Sequence, residues 1–302
     1  MYRILVTDGM EKSGIEELKA SGYEVVEKFF EPDALGEALK DFDCVVVRSA
    51  TKVRQPIIDK ALEGKLKLVI RGGVGVDNID VAYAESKGIK VRNTPKASSA
   101  SVAELAIGHM FSLARFIANA NVTMRQGQWN KKKYEGIELA GKTLGLIGFG
   151  RISKEVAKRA EALGMKVIYT DVLGKQQGYD NYNFCSQEEL LKTSDFVSLH
   201  IPYDKTKGAT IGEKEISMMK DGAYLINCAR GGVVCEKALL DALNSGKLAG
   251  AGIDVYEEEP TKNEALINHG KVSATPHIGA STVEAQTRIG EEIVSIIKDE
   301  LK

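Results

Sequence analysis

The chain has 302 residues, with 41 basic against 42 acidic side chains and a formal net charge of −1. That length exceeds one ordinary domain, so two are expected. Near-neutrality argues against nucleic acid or an anionic membrane as the main partner. Cys44, Cys185, Cys228 and Cys235 show no C-x-x-C pairing and read as reduced thiols, with no metal site expected. The opening "MYRILVTDGMEKSG" lacks a signal-peptide core, and no apolar run is long enough to span a bilayer, so a soluble cytoplasmic chain is expected.

Short β-branched runs then alternate with helical segments. The runs are "YRILVTD", "EVVEKF", "CVVVRSA", "KLVIRGG" and "IKVRN", followed by "TLGLIGFG", "KVIYTD", "DFVSLHIP", "AYLINCARGG", "AGAGIDV" and "KVSATPH". Amphipathic or capped stretches at 12–20, 54–63, 151–163 and 235–244 separate several of them. Continuous apolar strands alternating with helices predict α/β architecture with parallel sheets covered on both faces. At 93–100, "NTPKASSA" breaks the rhythm, and a long helix is predicted over about 99–119, with Ser101 and Glu104 at capping-box spacing. This reads as the crossing between domains. The last helical stretch, "STVEAQTRIGEEIVSIIKDELK", is placed to cross back.

"GKTLGLIGFGRISKEV" at 141–156 runs from a strand through a glycine turn into a helix. Gly148 permits the tight turn, Gly150 lets phosphate oxygens approach, and the helix opening near Arg151 offers free N–H groups and a positive dipole end. Asp171 ends the next strand, 23 positions after Gly148, where the dinucleotide fingerprint places an acid for the ribose hydroxyls. Ser153 stands where a third glycine is usual; that position serves helix–strand packing, so binding should survive. The Asp171 charge disfavours a 2′-phosphate, and although Lys175 is near, NAD is expected over NADP.

Five polar residues follow strands in this half: Asp171, His200, Arg230, Asp254 and His277. In doubly wound sheets ligands bind outside that edge. Arg230 offers a planar fork for a carboxylate and the oxygen at C2, and Gly231 and Gly232 would leave room for substrate and cofactor. His277 suits proton transfer near neutrality. Glu259 in "EEEP" is the candidate to orient it, on a backbone restricted by Pro260. His109 and His269 read as packing and surface, and His200 as a neighbour of the cofactor.

The segments "VRSATKV", "RGGVGVDNID", "NTP", "GKTLGLIGFGRI", "NCARGGVV", "AGAGIDVYEEEP" and "PHIGAST" resemble the D-isomer-specific 2-hydroxyacid dehydrogenases in the family's order. The resemblance implies a discontinuous flavodoxin-like substrate domain, 1–97 and 283–302, and a Rossmann NAD-binding domain, 98–282. Arg230, Glu259 and His277 match its active-site positions. Its cofactor contacts, besides Gly148, Gly150 and Arg230, fall on Val74, Arg151, Ile152, Asp171, His200, Ile201, Pro202, Cys228, Ala229, Asp254, His277, Gly279 and Ala280. Gly73, Val74 and Gly75 would hold the substrate carboxylate, Arg48 and Arg71 a substrate phosphate, and Ser49 is a further substrate contact. A homodimer through 99–140 is implied, as is the lack of a C-terminal regulatory domain after Lys302.

The expected reaction is NAD-dependent oxidation of D-3-phosphoglycerate, an entry step of serine synthesis. A dehydrogenase or reductase for glycerate, hydroxypyruvate or lactate is the alternative within catalysis. An NAD-sensing interaction protein of the corepressor type is the alternative outside it.

Overall fold

Buried, mostly aliphatic runs build both sheets of the computed structural model, which describes residues 1–302. The chain divides into two units, Met1–Ser99 with Ala280–Lys302, and Ala100–Gly279. The division falls two to three residues from the expected bounds.

The first unit holds β1 (Arg3–Val6), β2 (Glu24–Glu27), β3 (Cys44–Val47), β4 (Leu68–Arg71) and β5 (Lys90–Asn93). All are parallel, in the order β2-β1-β3-β4-β5, the flavodoxin-like winding. The helix Val283–Glu300 closes one face. Thr282 caps it through the Ala285 N–H, and Ile289, Ile293 and Ile297 recur at a spacing of four, one helical face. They pack on Ile4, Val6, Cys44, Val46, Leu68 and Ile70. At the far end Glu300 accepts from Lys90 and Arg92, each at 2.7 Å.

The second unit holds β6 (Thr143–Ile147), β7 (Lys166–Thr170), β8 (Asn183–Phe184), β9 (Phe196–Leu199), β10 (Ala223–Asn227), β11 (Leu248–Ile253) and β12 (Val272–Ala274). The parallel order is β12-β11-β10-β9-β6-β7-β8, with the winding reversing between β6 and β9. That reversal is where a Rossmann sheet opens its ligand crevice.

The predicted helix over 99–119 is two helices, Ser99–Ala114 and Ile117–Arg125, bent by 64°. Phe116 takes a left-handed backbone (φ 54°), and the Ile137 N–H binds the Ala114 carbonyl at 2.9 Å, ending the first helix. The expected capping box is absent. Ser101 donates instead to the Gly279 carbonyl at 2.6 Å, and Glu104 accepts from Arg159 at 2.9 Å.

Ser153 is fully buried, and its hydroxyl has no partner. An unsatisfied buried hydroxyl is destabilising by about 1–3 kcal/mol. Ser153→Ala is therefore expected to stabilise the second unit by about 1 kcal/mol, raising Tm by about 2–4 °C. Thermal melts of the two forms would show it, and a lower Tm for the variant would refute it.

Candidate active site

The glycine turn is built from β6 and seated on β9. Gly148 has φ 83°, and a Cβ there would lie 2.6 Å from the His200 carbonyl oxygen, so only glycine fits this left-handed close approach. Beneath it, the buried Phe149 ring stacks on Tyr169 at 3.9 Å between centroids. Asp171, one residue past β7, accepts from the Phe149 N–H at 2.6 Å and the Leu173 N–H at 2.8 Å. The acid therefore fixes the turn as well as lying beside it.

The helix Arg151–Ala162 starts at Gly150 with no capping side chain, and the space where a Gly150 Cβ would stand is open. Uncapped N–H groups, open space and a flanking carboxylate fit a pyrophosphate followed by a ribose. Lys175 is held by Asp180 at 2.7 Å, which ties up the cation nearest in sequence that a 2′-phosphate would want. His200 approaches the turn through its backbone. Its ring contacts Ser198 Oγ at 3.0 Å, and desolvation pushes it down to about 4, so it stays neutral.

Arg230, Glu259 and His277 lie in the second unit, beyond β10, β11 and β12 respectively. His277 Nδ1 and Glu259 Oε2 are 2.7 Å apart, and both side chains are about one-third exposed. Glu259 Oε1 accepts from the Tyr256 N–H at 3.1 Å. Desolvation raises the Glu259 carboxyl. The His277 ring, the Tyr256 N–H and the Arg230 charge overcome it, leaving the group below its ordinary value. The acid is thus held as an anion against the imidazole.

The three glutamates of "EEEP" have three separate partners. Glu257 and Glu236 each accept the other's N–H, at 2.9 and 2.8 Å, which pins the loop to the start of the helix Glu236–Ser245. Glu258 pairs with Lys262 at 2.7 Å, leaving Glu259 for the histidine. Gly231 and Gly232 need a corrected explanation. A Gly231 Cβ would sit 1.7 Å from the Tyr256 carbonyl oxygen, and a Gly232 Cβ 2.7 Å from the Tyr203 ring. These glycines admit protein rather than ligand, and so bring the Arg230 loop against the loop of Glu259.

His277 has a left-handed backbone (φ 52°), unfavourable for a residue with a Cβ by roughly 1–2 kcal/mol. Asp254, 1% exposed, holds it there. Its Oδ1 accepts from the Ile278 N–H (2.8 Å) and Thr275 Oγ1 (2.6 Å), and its Oδ2 from the Gly279 N–H (2.9 Å). Thr275 Oγ1 meets His109 Nε2 at 3.1 Å, and Ser273 Oγ meets His109 Nδ1 at 2.9 Å. Because the threonine proton goes to the carboxylate, His109 Nε2 is the donor toward Thr275 Oγ1. Desolvation lowers this ring, against a weaker opposing effect of Asp254, and keeps it neutral. His109 is thus part of the support beneath His277 and not packing alone.

In the first unit, Arg48 and Ser49 follow β3, Arg71 ends β4, and Gly73, Val74 and Gly75 come after it. The Gly73 N–H is taken by the Arg71 carbonyl. The Val74 and Gly75 N–H groups have no protein acceptor, so they and not Gly73 can serve a carboxylate. Arg71 folds back over Gly73 and donates to the Gly72 carbonyl at 2.9 Å. The Arg48 guanidinium makes no hydrogen bond or ion pair, and Ser49 beside it is exposed.

Residues 107–279 match the family described as D-isomer specific 2-hydroxyacid dehydrogenase, NAD binding domain. The chain belongs to the D-isomer-specific 2-hydroxyacid dehydrogenases. It is 47% identical to a hydroxypyruvate reductase of Thermotoga maritima, across 99% of this chain and 98% of that one. It is 45% identical to a D-3-phosphoglycerate dehydrogenase of Methanocaldococcus jannaschii over its whole length, spanning 58% of that longer protein. A solved D-lactate dehydrogenase of Aquifex aeolicus, complexed with NAD and lactic acid, superposes with a TM-score of 0.86 at 32% identity, covering 98% of this chain and 94% of that one.

This dehydrogenase is therefore an NAD-dependent oxidoreductase. What its sequence left unseen is the support beneath the reactive groups. Asp254, Thr275 and His109 are apart in the chain, and Glu257 and Glu236 meet only once β11 and the helix Glu236–Ser245 are in place. The spacing of Asp254 directly after β11 was the one available signal.

Proposed function

We propose that this dehydrogenase oxidises D-3-phosphoglycerate to 3-phosphohydroxypyruvate with release of one proton. When bound, the nicotinamide supplies the hydride acceptor. His277 takes the C2 hydroxyl proton as the C2 hydrogen leaves with its electron pair. Glu259, an anion against Nδ1, stabilises the imidazolium that results. Arg230 holds the carboxylate and polarises the C2 oxygen, and the Val74 and Gly75 N–H groups bind carboxylate oxygen. In reverse, protonated His277 delivers the proton to the carbonyl oxygen.

The observation that carries the substrate choice is the uncommitted Arg48 guanidinium beside exposed Ser49. A cation with no protein partner suits a ligand dianion better than a small neutral hydroxymethyl group. A second reading, reduction of hydroxypyruvate, draws on the 47% identity to a reductase of matching length. Initial rates separate the two: 3-phosphohydroxypyruvate against hydroxypyruvate with NADH, and D-3-phosphoglycerate against D-glycerate with NAD. The phosphorylated member is expected to win each pair by at least about tenfold in kcat/KM. Equal or reversed preference would reject the phosphorylated substrate. A homodimer also belongs to this reading, with exposed Ile117, Val122, Met124 and Trp129 as surface for a second copy. A sedimenting mass of one chain at micromolar concentration would reject it.

A further inference from the structure

The turn that carries Arg48 is clamped by two side chains from elsewhere in the first unit. Asp8 follows β1, which neighbours β3 in the sheet, so its carboxylate reaches the turn leaving β3. Asp8 Oδ2 accepts from the Arg48 N–H at 2.7 Å and the Thr51 N–H at 3.0 Å, and Oδ1 accepts from Thr51 Oγ1 at 2.6 Å. From the other side, Asn78 Nδ2 donates to the Arg48 carbonyl at 2.7 Å and the Thr51 carbonyl at 2.6 Å. Both N–H and C=O of the first and last residues of the turn are thereby fixed. The N–H groups of Ser49 and Ala50 between them find no protein acceptor, and both residues are exposed.

The clamp leaves a guanidinium, a hydroxyl and two adjacent N–H groups uncommitted on one rigid turn, the donor set of an oxyanion nest. An aspartate near a phosphate would ordinarily repel it. Here three donors occupy the carboxylate, so its effect on the turn is geometric. The strand before it is held independently, since the Thr7 N–H pairs with the Val46 carbonyl and Ile4 and Val6 are buried among their neighbours.

We propose that Asp8 is a positioning residue for substrate selectivity: by fixing the 48–51 turn it holds Arg48 and the Ser49–Ala50 N–H groups for the phosphate of a phosphorylated 2-hydroxy acid. The inference rests on the reading of Arg48 as the phosphate ligand. Its test compares 3-phosphohydroxypyruvate with hydroxypyruvate, at saturating NADH, for the wild type, Asp8→Ala, Asp8→Asn, Arg48→Ala and the Asp8→Ala/Arg48→Ala double variant. Asp8→Ala is expected to lower kcat/KM for the phosphorylated acid about tenfold, mainly through KM, and to change hydroxypyruvate by less than about twofold. Asp8→Asn, which keeps an oxygen for both N–H groups, should recover most of the loss. In the Arg48→Ala background Asp8→Ala should add less than about twofold, because only the Ser49–Ala50 N–H groups remain for it to position.

Equal losses on both acids, or additive losses in the double variant, would overturn the proposal in favour of a structural role. A wild type indifferent to the phosphate would sink the substrate reading, and this inference with it. Selectivity lost in Arg48→Ala but kept in Asp8→Ala would sink this inference alone. If Asp8→Ala does not fold, Thr51→Val removes one donor and leaves the carboxylate. It should lose about twofold to threefold on the phosphorylated acid only, and a loss shared by both acids, or none, would count against the proposal.

Discussion

His277→Ala is expected to lower kcat about a thousandfold in both directions, while the dissociation constant of NADH changes by less than about threefold. General acid–base groups contribute roughly 10²–10⁴, and the ring lies at the end of its loop, bound to Glu259 and to no group of the glycine turn. Stopped-flow hydride transfer and NADH fluorescence titration give the two numbers separately. A variant turning over within about tenfold of wild type would remove His277 from the chemistry.

The pH dependence is expected to have opposite signs in the two directions. Oxidation needs the unprotonated ring, so it should rise with pH; reduction needs the protonated ring, so it should rise as pH falls. Glu259 does not supply this limb. The His277 ring, the Tyr256 N–H and the Arg230 charge outweigh desolvation and hold its carboxyl below the ordinary range. Its proton is therefore already off near neutral pH. In Glu259→Gln the anion favouring the imidazolium is gone, and kcat should fall in both directions. An unchanged kcat would mean that Glu259 has only a structural part.

Strand ends were the most legible part of this chain, and for a definite reason. A strand buried on both faces is a continuous apolar run, so the first polar residue after it marks the carboxyl edge; Asp171, His200 and Asp254 stand out this way. The break at Phe116 was hidden because nothing in "SLARFIANA" is a glycine or proline. It comes from a tertiary contact, the Ile137 N–H on the Ala114 carbonyl. Gly231 was seen but misassigned, since its neighbour, the Tyr256 carbonyl, lies 25 positions on. Asp8 gave no signal at all. Its meaning depends on β1 lying beside β3, which topology decides and spacing does not.

Arg230→Ala should damage use of the acid far more than binding of the cofactor. The guanidinium emerges between the Ala229 carbonyl, which it contacts at 2.6 Å, and the loop of Glu259, to whose ionisation it contributes. Asn227 Nδ2 holds the Arg230 carbonyl at 3.1 Å and Asn227 Oδ1 accepts from the Ala229 N–H at 3.1 Å, so the backbone should keep its course when the side chain is cut back. Losing a buried charge-assisted contact to a carboxylate typically costs about 2–5 kcal/mol, so kcat/KM for the 2-oxo acid should fall about a thousandfold. Arg230→Lys should regain only part of this, because a point charge cannot meet the carboxylate and the C2 oxygen with one planar fork. Isothermal titration with NADH, beside steady-state rates, distinguishes the outcomes: parallel losses in cofactor affinity and substrate use would show that Arg230 maintains the cofactor site and does not grip the acid.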